Sequence, residues 1–149
     1  MSIISPYIIA GILGWVVAQS VKYLIISVRK RRLVSLRQLY GSGNMPSAHS
    51  ATVVAVLVLI GLIDGIDSGL FGLAAVFSSV VLYDAMMVRR SSGEQGASLT
   101  ALIKEQKSNV RLPRVAKGHT PVEVAVGTLL GLIVGVAVYV VYGGYTVGL

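Results

Sequence analysis

Apolar residues in this chain fall into four long runs, and the polar residues are confined to the stretches between them. The runs cover about Ile3 to Val28, Pro46 to Ile63, Gly69 to Val88 and Val122 to Tyr142. At about 1.5 Å of rise per residue, a helix of each length crosses, or in the second case nearly crosses, a hydrocarbon core of roughly 30 Å. The expected architecture is therefore an all-α integral membrane helical bundle of about four transmembrane helices, with residues 1–149 forming a single membrane-embedded domain. The order is helix, basic loop, helical hairpin, long polar loop, helix. In the long loop from Arg89 to Thr120, only Gly96 to Gln106 has helical propensity, and it lacks a sustained apolar face. It reads as a surface helix or a partly disordered segment. The first run opens on Met-Ser-Ile-Ile-Ser-Pro, with neither a basic leader nor a small-residue cleavage site, so it reads as a retained helix and not a signal peptide.

Composition sharpens this picture. With 54% hydrophobic and 13% charged residues, the chain lies outside the range of an ordinary soluble domain. The net charge is +7, and every Lys and Arg lies either in Lys22 to Arg37 or in Arg89 to Lys117. Four spans put those two zones at one membrane face, and the short acidic connection Ile63-Asp64-Gly65-Ile66-Asp67-Ser68 at the other. The positive-inside rule then makes the basic face cytoplasmic and both termini external, in a bacterial plasma membrane. Neither basic zone interleaves an aromatic residue from Arg29 to Arg37 or from Arg89 to Lys117, which argues against a nucleic-acid partner. Attraction to anionic lipid headgroups is a simpler use of those charges. There is no cysteine, and two histidines and six carboxylates offer few ligands at metal-binding spacing, so no metal or other cofactor is expected. The last run carries Gly127, Gly131 and Gly135, a small-residue stripe that suits close helix contact. It serves either a homodimer, the expectation adopted here, or packing within one chain.

Both histidines stand at the start of an apolar run. Thr120-Pro121-Val122-Glu123 has the form of a capping box: an N-cap hydroxyl, proline at the first helical position and an acid at the third. That accounts for Glu123 but not for His119 immediately before the cap. Asn44 or Met45 is similarly placed to cap the second helix, with Pro46 in its first turn, leaving Ser47 and His49 at a helix N-terminus, where free N–H groups favour an anion. Two histidine-bearing helix starts thus open on the face that carries all thirteen basic residues. Cleavage of a phosphate ester through a covalent intermediate needs a nucleophile, an acid for the leaving alkoxide, and donors for the equatorial oxygens. Histidine fills either of the first two roles near neutrality, and a carboxylate one turn away fixes its tautomer. The alternative is a pair of interfacial histidines without chemistry. Asp84, at the basic end of the third run, would cost about 2.5 to 3.5 kcal/mol at most if left unpaired in the membrane, so Arg89 is its natural partner.

These residues resemble the motifs of the type 2 phosphatidic acid phosphatase superfamily, which includes acid phosphatases and vanadium haloperoxidases. Pro46-Ser47-Ala48-His49 resembles its Pro-Ser-Gly-His motif, and His119 with Glu123 resembles a histidine followed four residues later by aspartate. Lys22 and Arg29 match a Lys–Arg pair separated by six residues, although Lys30 stands where that motif has proline. The chain is most similar to a divergent bacterial and plant branch. That branch carries Gly-Met-Pro-Ser-Ser-His-Ser-Ala, where Asn44 stands for the glycine here, then Asp-Ala-x-x-Val-Arg-Arg-x-x-Gly-x-Gln, then Gly-His-x-Pro-x-Glu-Val. The counterparts here run from Met45 to Ala51, from Asp84 to Gln95 and from Gly118 to Val124. The resemblance implies a phosphatase-like helical core with His119 as nucleophile, Glu123 as its orienting partner and His49 as general acid. It also implies Ser47, Lys22 and Arg29 as phosphate ligands. Pro113 occupies the place of the superfamily's third-motif arginine, so Arg89, Arg90 and Arg114 are the candidates for that guanidinium, with Asp84 and Asn44 in support. The implied activity is a lipid-phosphate or polyprenyl-phosphate phosphatase with a phosphohistidine intermediate. Transfer of the phosphoryl group to another alcohol, or binding of a lipid phosphate without turnover, remain as alternatives.

Overall fold

The computed structural model describes residues 4–31, 33, 45–113, 115 and 118–146, with side chains to residue 142. The described residues form five helices: α1 (Pro6–Lys30), α2 (Ala48–Ile63), α3 (Gly69–Tyr83), α4 (Arg89–Glu105) and α5 (Pro121–Thr146), with a π-helical turn over Asp84–Val88 joining α3 to α4. Three continuous segments are long and apolar enough to cross a membrane: Pro6–Lys30, Gly69–Glu105 and Pro121–Tyr142. With the shorter α2 they make the expected bundle of about four membrane helices.

Helix α2 has 16 residues, which is about 24 Å at the usual rise and shorter than the hydrocarbon core. It is nevertheless the centre of the molecule, packed most extensively on α5, then on α1, then on α3. Ala51, Ala55 and Leu59 are fully buried along it. Protein, not lipid, surrounds most of this short helix. The core is built from small side chains, with Ala10, Ala18, Ala48, Ala51 and Ala55 at its centre. Large apolar residues such as Ile8, Ile12, Trp15, Phe77, Val80, Ile133 and Val140 point outward. That arrangement suits a solvent of lipid tails, where close backbone contact drives helix association.

The glycine stripe belongs to this core. A Cβ on Gly127 would lie 2.4 Å from the Ser47 carbonyl oxygen, one on Gly131 2.6 Å from that of Ala51, and one on Gly135 2.8 Å from that of Ala55. A Cβ on Gly14 of α1 would lie 2.8 Å from the same Ala51 carbonyl oxygen. The expectation that Gly127, Gly131 and Gly135 form a homodimer face is therefore corrected: α2 of the same chain occupies it.

Two further expectations change. The segment after Val88 is helical through Glu105, well before the Gly96 to Gln106 patch that propensity marked. Gly93 is buried and Gly96 lies against Val115, so both glycines mark close approaches and not breaks. Arg90 and Glu94 form an i,i+4 pair at 3.2 Å that favours helix here. At the start of α2 the N-cap is Ser47, whose hydroxyl accepts from the Ser50 N–H. Pro46 precedes the cap, joined to Met45 by a cis peptide bond. Asn44 lies outside the described residues. At the acidic end, the α2–α3 turn uses Gly65 at φ +88°, a conformation that favours glycine. Tyr7 donates a hydrogen bond to Asp64 there, tying the start of α1 to the end of α2.

Candidate active site

The starts of α2 and α5 meet at the basic end of the bundle. The Ser47 N–H donates to the Glu123 carbonyl oxygen at 3.1 Å, so the cap of one helix is bonded to the first turn of the other. Gly127, one turn further along α5, leaves room for the Ser47 carbonyl. A third element closes the arrangement. The His119 N–H donates to the Ala85 carbonyl oxygen in the π-helical turn at 3.0 Å. Gly118 passes so close that a Cβ there would lie 2.4 Å from the Arg90 nitrogen. Pairing in a π-helix leaves backbone carbonyls out of α-helical register, and here one of them fixes the loop that carries a histidine.

The His119 side chain is 8% exposed, and its Nδ1 lies 3.1 Å from the Glu123 carboxylate. The expected capping box is present: the Thr120 N–H donates to the same Glu123 oxygen at 3.0 Å, and the Glu123 N–H donates to the Thr120 hydroxyl at 3.3 Å. Glu123 thus closes the helix cap and holds a ring at once. Burial pushes the His119 pKa below the ordinary value of 6.5, helped by the positive charges of Lys22 and Arg89 and partly opposed by its bond to Glu123. At neutral pH the ring is therefore uncharged. Because a carboxylate only accepts, the proton sits on Nδ1 and the Nε2 lone pair is left free.

Around this pair the side chains divide into two groups. Lys22 is 4% exposed and makes no hydrogen bond or ion pair to another described residue. Its charge acts on Glu123, His119 and His49. Arg89 also acts on both histidines, and its Nε is held 2.7 Å from the Asp84 carboxylate, as expected for that pair. His49, in the first turn of α2, is exposed and feels Arg89, His119, Lys22 and Asp84. Lys22, His49, Asp84, Arg89, His119 and Glu123 therefore form one electrostatic cluster, buried on one side and open at His49.

The other sequence candidates stand apart. The Ser47 side chain is fully buried, and its hydroxyl accepts from the Ser50 hydroxyl at 2.8 Å and from the Ser50 N–H at 3.4 Å. Arg90 turns onto the outer face of α4 toward Glu94. Arg29 lines a groove between the end of α1 and the start of α5 that Glu123 also borders, and it is not among the charges acting on either histidine. Arg114 lies outside the described residues. No group of three or more His, Asp or Glu side chains comes together among the described residues in a way that could hold a metal ion. Sequence reasoning missed the Ala85 carbonyl and the Ser50 hydroxyl. Nothing in Asp84-Ala85-Met86-Met87-Val88 marks a π-helical turn, whereas Ser50 stands three residues after a helix cap and was within reach.

The profile of a family described as the Divergent PAP2 family matches residues 4–134. An uncharacterized membrane protein of Bacillus subtilis (strain 168), YuiD, is 30% identical, over 85% of this chain and 89% of its own length. No solved structure matches significantly.

Proposed function

The chain belongs to the divergent PAP2 family of membrane proteins, and from that premise we propose that it is a phosphatase of lipid or polyprenyl phosphates acting through a phosphohistidine at the cytoplasmic face. The observation that carries the reading is a histidine already held by a carboxylate, with the cations of Lys22 and Arg89 acting on it. Cations gathered beside a histidine–carboxylate pair favour an anion there, and a phosphate in the cluster supplies one.

The chemistry follows from the positions of the groups. Nε2 of His119 attacks phosphorus as the bond to the lipid oxygen breaks, and His49 gives its proton to that oxygen. The imidazolium formed on His119 is stabilised by Glu123 through Nδ1–H. Lys22 and Arg89 hold charge on the equatorial oxygens, and Asp84 aims Arg89. Arg89 thereby takes the place of the guanidinium that Pro113 removes from the third motif. In the second half of the reaction His49 accepts a proton from water, water attacks the phosphohistidine, and inorganic phosphate and neutral His119 are restored. The buried Ser47 supports the start of α2 in this scheme and does not touch phosphate.

The test is phosphate release by purified protein from phosphatidic acid, phosphatidylglycerophosphate and polyprenyl mono- and diphosphates, with folded His119→Ala as control. Release from at least one class that His119→Ala abolishes is expected. Transfer to an added alcohol without release would favour the phosphotransferase reading. Binding of these lipids without either product would favour a non-catalytic protein.

A further inference from the structure

Inside a membrane helix a polar side chain bonds to its own backbone or to a neighbour, because lipid offers it no partner. The Ser20 hydroxyl of α1 donates to the Val16 carbonyl oxygen at 2.9 Å, and Thr52 of α2 and Ser79 of α3 donate to Ala48 and Ala75 in the same way at 2.8 Å. Two side chains of α1 depart from this rule. The Gln19 amide oxygen and the Ser27 hydroxyl are buried, and neither has a hydrogen-bond partner among the described residues. Both lie on one i, i+4 ridge, formed by Gly11, Trp15, Gln19, Tyr23 and Ser27, and they stand about 12 Å apart along the helix at the usual rise.

This ridge leads to the histidines. A Cβ on Gly11 would lie 3.3 Å from the Val56 side chain and 3.7 Å from that of Thr52, so the ridge faces the edge of α2 that carries them. His49 continues that edge toward the basic end, three residues before Thr52. Ala18, beside Gln19, packs on Ala48 and Ala51, which bracket His49. Lys22, three residues beyond Gln19, acts on both histidines through its charge. We propose that the Gln19 carboxamide binds the water that hydrolyses the phosphohistidine and holds it beside His49, with Ser27 holding a second water nearer the membrane surface on the same ridge. The inference rests on the phosphatase reading. A buried water takes about three polar partners, and one that donates to the Gln19 oxygen still presents a lone pair to phosphorus. In the step itself the water oxygen bonds to phosphorus and the bond from phosphorus to Nε2 breaks, its electron pair returning to His119. One water proton passes to His49.

The test is rapid mixing of purified protein with a ³²P-labelled lipid phosphate, following formation and decay of the label on His119 as separate phases. Gln19→Leu keeps the bulk of the side chain but accepts no hydrogen bond. Its label should form at the wild-type rate and decay about tenfold more slowly, the rate equivalent of one hydrogen bond, so that phosphorylated protein accumulates during turnover. Gln19→Asn retains the carboxamide and should decay faster than Gln19→Leu, a rescue that a merely structural role would not produce. Wild-type decay in Gln19→Leu, equal slowing of formation and decay, or a decay in Gln19→Asn as slow as in Gln19→Leu would each overturn the inference while leaving the phosphatase reading in place. A wild-type protein that never acquires label on His119 would instead overturn that reading, and this inference with it.

Discussion

At the residue scale, the behaviour of the site turns on Glu123. The motif spacing made His119 and Glu123 legible as a pair, and the capping box made the local helix start legible as well. The single carboxylate oxygen that serves both the ring and the Thr120 N–H was visible only in the structure. A nucleophile must be neutral, and burial holds the His119 pKa below 6.5, so the acid limb of kcat/KM should lie below pH 6.5, with activity kept above it. Glu123 opposes that depression. Its removal in Glu123→Gln should move the acid limb to still lower pH and lower kcat by up to about 10⁴-fold, the loss seen when the carboxylate that orients a triad histidine is replaced by its amide. A limb that moves to higher pH in pH–rate profiles would contradict the pairing. His49→Ala should separate substrates by leaving group. Lipid alkoxides, which need protonation, should suffer by about a hundredfold or more, while an activated aryl phosphate is largely spared. Equal losses on both would remove His49 from the proton-donating role.

At the scale of elements, the sequence revealed which segments are helical in the membrane but not how they interlock. Gly127, Gly131 and Gly135 signalled close helix contact, yet nothing in a single sequence says whether the partner helix belongs to the same chain. The carbonyls of Ser47, Ala51 and Ala55 on α2 answer that question. Likewise, the polar face of α4 gave no tertiary signal, and its start is set by the π-helical turn and by Gly118 pressing on Arg90. Gly131→Leu would force side-chain atoms into the Ala51 carbonyl and the Val54 side chain. It should lower thermal stability by about 3 kcal/mol or more, at the upper end of overpacking effects, without changing the mass of the detergent-solubilised particle. Scattering-detected dissociation of a wild-type dimer by this substitution, with stability unchanged, would restore the glycines to an interface between copies.

At the scale of the whole molecule, charge segregation and four apolar runs sufficed to place both histidines at one end, and hydrogen bonds at the two ends agree: Tyr7 with Asp64 at one, His119 with Ala85 at the other. The short α2 looked marginal as a span because its length falls short of the hydrocarbon core, and here neighbouring helices shield it. We propose, from the positive-inside rule, that the basic end faces the cytoplasm. A cysteine at exposed Ser108 should then react with a membrane-impermeant thiol reagent only in inverted vesicles, and one at exposed Ile66 only in intact cells. The reverse pattern would turn the protein over. The central claim is that this end of the bundle transfers a phosphoryl group to His119, and the most direct measurement is rapid acid-free quench of the protein during turnover of a ³²P-labelled lipid phosphate. The expected result is an acid-labile, base-stable label that maps to His119 and is absent from folded His119→Ala; a label that persists in that variant, or lipid-phosphate turnover that survives in it, would contradict the account.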